Sequence, residues 1–283
     1  MILTPFEIAE FRAGVLRHYR EEGRDFPWRR TRDPWLVLCS EIMLQQTRTE
    51  TVLAKWDGWT AAYPAPSDLA ASPLSEVLSA WKGLGYNRRA LALRNAAARI
   101  ASDFGGIVPN AESELRSLPG VGPYTARAVR AFAFGLPGIV LETNIRALYL
   151  FYFFPDREAV RDRDLEPLVE LTLDLEDPRT WYYALMDYGA ALKKREPNPG
   201  RRSASYVRQS PFEGSHRQVR SAVLHVLATR GALGEADLRE AAAEEIGPYA
   251  RDSAFDVRLG RAKTELAAEG FLEIEGGFVR LKD

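Results

Sequence analysis

The chain has 283 residues, 46% hydrophobic and 27% charged, with a formal net charge of −1. That length predicts about two domains of ~100–200 residues each. The near-zero charge excludes a protein that coats nucleic acid by bulk electrostatics, but not one whose cations gather on one face. A single cysteine, Cys39, excludes an internal disulfide framework and any cysteine-only metal site or cluster. Acids appear too early between Met1 and Arg12 for a secretion signal, and no apolar run approaches membrane-spanning length. Cytoplasmic residence, away from membranes, is expected.

Helical periodicity dominates up to about residue 195, with helices predicted over 6–20, 34–46, 49–62, 75–82, 87–103, 112–117, 123–134, 144–153, 164–173 and 179–192. Short connectors bearing proline or glycine separate many of them. The stretch 34–46 is apolar on nearly every side, the mark of a central buried helix. No internal repeat is evident. From Lys193 to Pro211 the texture changes: Lys193, Lys194, Arg195, Arg201, Arg202 and Arg208 face one acid, Glu196, and Pro197, Pro199 and Gly200 break any helix. Two readings stand side by side, a solvated tether and a loop lying on phosphates.

Beyond this linker a small module is predicted. Val219, Ala222, Val223, Val226 and Leu227 recur at helical spacing within 216–230, and further helices fit 234–245 and 252–268. Strands at 271–275 and 278–282 flank Gly276-Gly277, a two-residue hairpin signal. Pairing across that turn sets Ile274 opposite Val279 and Leu272 opposite Leu281, with Glu273 meeting Arg280 on the other face. Three helices and a hairpin make a winged-helix-like module, a type that binds DNA or protein. The predicted division is a helical core over 1–195, a basic linker over 196–211 and this module over 212–283.

Two features carry chemistry. Leu118-Pro119-Gly120-Val121-Gly122-Pro123-Tyr124-Thr125 combines a tight turn at Gly120 and Gly122 with a helix whose first turn suits Pro123. The free amides of such a helix start can take a DNA phosphate without any lysine. Glu41 sits inside the apolar helix 34–46, where a carboxylate is costly unless paired or protonated; burial raises its pKa and makes it a candidate general acid. Gln45 lies one turn further on the same face, where it can orient that carboxylate or touch DNA. Glu142, by residue type alone, is an ordinary acid near a helix start. Tyr124 has a packed-core reading beside its pocket one, the tryptophans Trp28, Trp35, Trp56, Trp59 and Trp81 read as core rather than as a stacking platform, and His18, His216 and His225 show no ligand spacing.

Taken together with Ser-Glu-Ile-Met-Leu-Gln-Gln-Thr at 40–47, Gly-Leu-Gly-Tyr at 83–86, Phe26-Pro27-Trp28-Arg29 and Met186-Asp187-Tyr188-Gly189, the hairpin closely resembles the endonuclease III-like, helix-hairpin-helix-GPD DNA glycosylases. The match is best to the adenine branch, which acts on A opposite G or 8-oxoguanine, and covers roughly residues 24–192. The resemblance implies an all-α fold of two helical lobes with the active-site cleft between them, followed here by the winged-helix-like α+β module. It makes Glu41 the acid that protonates the departing purine. It places Glu142, one methylene longer, where the family carries an aspartate that stabilises the cationic sugar. Tyr124 stands where bifunctional members carry the lysine that attacks the sugar, so monofunctional chemistry without strand nicking is implied. Tyr124 also lines the base pocket in the thymine/uracil mismatch branch, and Trp28 and Gln45 join that pocket. Gln46 and Tyr86 match the wedge that fills the gap left by a flipped base; Arg88, Arg89, Gly120, Gly122, Thr125, Arg201 and Arg202 complete the expected DNA contacts.

Many relatives carry a four-cysteine iron–sulfur cluster just after the segment matching 186–192; no cysteine stands there, so a clusterless member is implied. No metal site is expected, although the resemblance leaves a place for a monovalent cation at the hairpin. The expected partner is double-stranded DNA with a mispaired or damaged base, bound by a monomer. Adenine excision leads, thymine or uracil excision is the alternative, and a non-catalytic lesion binder is the reading from another class.

Overall fold

The computed structural model describes residues 3–207, 210–251 and 254–282, so the linker cation Arg208 and the first residues of the helix predicted over 252–268 lie outside the described residues. Contacts divide the chain into two compact units: Met1–Glu41, Val108–Ser117 and Val121–Arg208 form one, and Ile42–Ile107, Leu118–Gly120 and Gln209–Asp283 the other.

The first unit holds α1 (Pro5–Glu22), α2 (Pro34–Leu44) as far as Glu41, α7 (Glu112–Ser117), α8 (Pro123–Phe134), α9 (Thr143–Phe153), α10 (Asp162–Thr172) and α11 (Pro178–Arg195). A capping box starts α1: the Thr4 hydroxyl accepts from the Glu7 amide while the Glu7 carboxylate accepts from the Thr4 amide. Trp181, Tyr149, Tyr182 and Phe132 are fully buried, and Phe11 of α1 meets Tyr149 and Trp181 edge-on at 5.4 and 6.1 Å. Helix α11 packs on α9 and α1. Where α11 crosses α9, Gly189 is obligatory: a Cβ there would lie 2.1 Å from the Asn144 carbonyl oxygen.

After α11 the basic segment is built into this unit. A 3₁₀ turn at Pro199–Arg202 packs on α9, and the Val160 amide donates to Arg202 O (2.9 Å) while the Ala204 amide donates to Val160 O (2.9 Å). The Arg202 guanidinium donates to the carbonyls of Leu150 (3.0 Å) and Pro155 at the end of α9. Leu150 O also accepts from the Phe154 amide that closes α9, and Pro155 lies just beyond the helix, so the arginine clamps the chain as it leaves α9. Arg202 therefore serves α9, whereas Arg201 is exposed.

The second unit holds the last turn of α2, then α3 (Thr49–Ala62), α4 (Pro66–Ala71), α5 (Leu74–Trp81) and α6 (Arg88–Asp103), together with α12 (His216–Arg230), α13 (Glu235–Ile246) and α14 (Phe255–Ala268). The six-residue α4 is absent from the sequence reading, since its two flanking prolines read as a connector; Asp68 secures its start by accepting from the Ala65 amide at 2.8 Å. Strands β1 (Leu233–Gly234), β2 (Leu272–Glu275) and β3 (Phe278–Leu281) form an antiparallel sheet in the order β1-β3-β2. The β2–β3 register is the predicted one, with Leu272 opposite Leu281, Glu273 opposite Arg280 and Ile274 opposite Val279. β1, only two residues long, carried no alternation to read.

The sequence places one helical core over 1–195 and a separate module after 212, but the contacts group the C-terminal helices with 42–107. Helix α12 packs directly on α5 and buries Val219, Val223, Val226 and Leu227. Among the described residues no helix is long and apolar enough to cross a membrane.

Candidate active site

Three segments of the first unit converge on a pair of carboxylates. Helix α2 is apolar around its whole circumference, with Trp35, Val37, Leu38, Cys39, Ile42 and Met43 all buried, and Glu41 lies among them at 8% exposure. The Tyr124 hydroxyl, in the first turn of α8, donates to Glu41 Oε2 at 3.2 Å. Burial pushes the Glu41 carboxyl up to about 7; the tyrosine hydrogen bond pulls down, the Glu142 charge pushes up, and Arg29 pulls down. Near neutrality this carboxyl can therefore hold a proton and give it away. Burial, with the charges of Glu41 and Glu142 behind it, raises the Tyr124 phenol well above its usual range, so it stays a donor.

Glu142 is treated in the opposite way. It is the N-cap of α9: Oε1 accepts from the amides of Asn144 (2.7 Å) and Ile145 (2.8 Å), and Oε2 from the Thr143 hydroxyl (3.0 Å) and Asn144 Nδ2 (3.3 Å). Glutamate is a less usual N-cap than aspartate. Its extra methylene is taken up by the side chain curling back onto the helix start. Lys193 of α11 donates to Asn144 Oδ1 at 3.0 Å. An ammonium can only donate, so the lysine fixes the amide with its oxygen outward and its nitrogen toward Glu142. Burial lowers the Lys193 pKa, against the attraction of Glu142.

Two of the motifs meet here without sequence warning. Arg29 of Phe26-Pro27-Trp28-Arg29 pairs with Asp187 of Met186-Asp187-Tyr188-Gly189 through two hydrogen bonds of 2.8 Å, and Arg24 adds its Nε and its backbone amide, both at 2.7 Å. Burial alone would raise Asp187, but these arginines hold it below the usual carboxylate range. The Arg29 guanidinium lies 4.4 Å from the Tyr183 ring centroid. Trp28 is buried and stacks on Phe26 at 4.9 Å, so the ring is packed within the unit. These partners lie some 160 residues apart in sequence, and only their charge types hinted at the pairing.

At the hairpin, Gly122 is the N-cap of α8 and exposed, and Gly120 has φ 77°; a Cβ on Gly120 would lie 2.8 Å from Ala92 Cβ. Thr125 is only 2% exposed, so its side chain is part of the core rather than a surface contact. In the second unit, Gln46 and Tyr86 are exposed and Gln45 half-buried. The two arginines expected on phosphates are otherwise engaged. Arg88 pairs with Glu269 (Nε–Oε2 2.6 Å), and Arg89, 9% exposed, is consumed by backbone carbonyls. Arg89 is thus corrected from a DNA contact to a buried tie.

No group of three or more His, Cys, Asp or Glu positioned to hold a metal occurs among the described residues. A four-thiolate iron–sulfur cluster does not fit this chain: its one cysteine, Cys39, is buried in α2, and the segment after Leu192 offers lysine, arginine, serine and asparagine.

Residues 39–172 match the model of the HhH-GPD superfamily base excision DNA repair proteins. The adenine DNA glycosylase of Mycolicibacterium smegmatis is 34% identical over 98% of this chain and 97% of its own length. A thymine/uracil-DNA glycosylase of Methanothermobacter thermautotrophicus is 32% identical over 64% of this chain and 84% of its own. The solved structure of a thermostable thymine-DNA glycosylase superposes with a TM-score of 0.58 at 30% identity, covering 65% of this chain and 86% of that one. The chain belongs to the HhH-GPD superfamily of base excision DNA repair proteins and is a DNA glycosylase.

Proposed function

We propose that this chain is a monofunctional glycosylase that removes adenine mispaired with guanine or 8-oxoguanine. The observation that carries the reading is the contrast between a buried Glu41 that keeps its proton to about pH 7 and a Glu142 saturated with donors. Adenine is a poor leaving group, and a neutral acid beside it supplies the proton it needs on departure. As the bond to the base breaks, positive charge develops on the sugar; an ionised Glu142 fixed by α9 stabilises that charge and aims the attacking water. Tyr124 holds Glu41 in place by its hydrogen bond and lines the base pocket. Having no amine, it cannot form a Schiff base with the sugar. The hairpin amides at the start of α8 take a phosphate. The similarity to adenine glycosylases over nearly the whole chain supports this choice of base.

Thymine or uracil opposite guanine is the second reading, favoured by Tyr124 at the hairpin and by the thymine/uracil relative. Duplexes bearing a single A, T, U or hypoxanthine, treated with the protein and then alkali, decide between them. Cleavage of the adenine strand alone is expected. Preferential thymine or uracil release would transfer the chain to the other branch, and release of no base would leave a lesion binder. Strand nicking without alkali, or a borohydride-trapped adduct, would contradict monofunctional chemistry.

A further inference from the structure

Two side-chain-bearing residues of the second unit hold left-handed backbone conformations: Gln46 with φ 56° and Tyr86 with φ 49°. Such conformations are unfavourable for L residues and persist only where the surroundings over-determine them. Here the determining group is one guanidinium. Arg89 Nη1 donates to the carbonyls of Ile42 (2.8 Å), Met43 (2.9 Å) and Gln45 (2.5 Å), and Nη2 to Thr47 Oγ1 (2.8 Å) and the carbonyls of Leu84 (2.8 Å) and Gly85 (2.9 Å). The Thr47 hydroxyl donates to Leu84 O at 2.9 Å, closing the tie between the two loops. No carboxylate is among the arginine's hydrogen-bond partners. Its buried Nε makes no hydrogen bond, and burial lowers its pKa to about 10, leaving it charged at neutral pH. A buried cation whose hydrogen bonds all go to backbone carbonyls and one hydroxyl is costly to keep unless the segments it ties must be rigid.

Above this tie stand the exposed Gln46 and Tyr86. The Tyr86 ring lies with its centroid 5.5 Å from the Arg89 guanidinium, and its hydroxyl accepts from Arg217 Nη1 of α12 at 3.4 Å. Arg217 is itself anchored through Nη2 on Ser210 O at 2.7 Å. The ring is held from below and at its tip by arginines from separate segments of the chain.

We propose that Arg89 is a positioning residue that locks Gln46 and Tyr86 into one rigid probe for extruding a base, and that Arg217 makes the C-terminal segment part of that probe. The inference rests on the glycosylase reading above, because a probe has a use only where a base leaves the stack. Pushing a ring between stacked bases requires that the ring not yield first. Lysine cannot replace the arginine, since one tetrahedral nitrogen with three donors cannot span six acceptors on two loops.

The test uses the full-length protein with Arg89→Lys, Arg217→Ala and Thr47→Val, the last removing one acceptor and the inter-loop tie at nearly constant volume. Base extrusion is followed by the fluorescence rise of 2-aminopurine at the target position. Excision is followed in single turnover on a mispaired duplex and on one whose target adenine faces an abasic-site analogue and is already unstacked. Arg89→Lys is expected to slow the fluorescence rise and mispair excision about 10–100-fold, and excision of the unstacked adenine by no more than about 3-fold. Thr47→Val and Arg217→Ala are expected to show the same split at about 3–10-fold. Equal losses on both duplexes with a wild-type fluorescence rise would overturn the proposal and make Arg89 scaffold only. If Arg89→Lys does not fold, a Thr47→Val protein without the split overturns it equally. Should the wild type excise nothing, the glycosylase reading fails, while the fluorescence rise still reports whether these residues extrude a base.

Discussion

The end of α2 and the start of α9 each present one carboxylate, and their surroundings treat the two in opposite ways. Glu41 sits in an apolar wall beside one phenol at 3.2 Å; Glu142 accepts from two backbone amides, a hydroxyl and an amide side chain. Desolvation with few donors favours the neutral acid, and a full set of donors at a helix N-terminus favours the anion. Two carboxyl groups in such unlike settings can divide acid and electrostatic roles between them. The α9 site is held at each step, Glu142 by Asn144, Asn144 by Lys193, and the α9–α11 crossing by Gly189, whereas the α2 site is poised mainly by exclusion of water.

The comparison can be broken at several points. Glu142→Gln keeps the cap geometry but removes the charge. Single-turnover excision is expected to fall on the order of 10³-fold, while anisotropy titration shows lesion-duplex binding within about threefold. Undiminished excision would remove Glu142 from the chemistry and leave Glu41 without a counterpart. Gly189→Ala brings a Cβ against the Asn144 carbonyl and must part α9 from α11. Its melting temperature should drop by about 5–10 °C, with excision down about 10-fold or more because the Glu142 cap moves too. An unchanged melting curve would show that the crossing yields freely. Lys193→Met leaves the packing stem but frees the Asn144 amide to rotate. Excision should fall about 10-fold, with lesion-duplex binding within about threefold, because the Asn144 amide no longer holds Glu142 in one place. A fall in melting temperature that accounts for the whole loss would mean that Lys193 merely supports the fold.

Much of the α2 site was legible because it depends on one helix: an acid in a stretch apolar on all sides is buried wherever that helix goes. The β2–β3 register was legible for a similar reason, since Gly276-Gly277 and the alternation of Leu272, Ile274, Val279 and Leu281 are local and agree. The basic residues were not. Arg88, Arg89, Arg201 and Arg202 look alike in sequence, yet one pairs with Glu269, one ties the end of α2 to the turn before α6 and one clamps the chain leaving α9. Arg88 and Arg201 are both exposed, but the Arg88 charge is already paired. Most of these arginines' partners lie tens to nearly two hundred residues away, and an arginine carries no mark of which carbonyls it will meet. Lys193 reads as the first cation of a linker but is the last residue of the Glu142 relay, for the same reason. The C-terminal helices were correctly seen as helices, but a buried face on α12 does not say that α5 will cover it.

The pH dependence of single-turnover adenine excision, measured for the wild type and Glu41→Gln between about pH 5 and 9, tests the central claim most directly. Burial raises the Glu41 pKa to about 7, so the proton is present below that value and lost above it. The wild-type rate should therefore decline as pH rises through about 7, and Glu41→Gln should be slow with that descending limb gone. A wild-type rate that stays level through neutrality, or a limb that survives in Glu41→Gln, would contradict the assignment of the proton to Glu41.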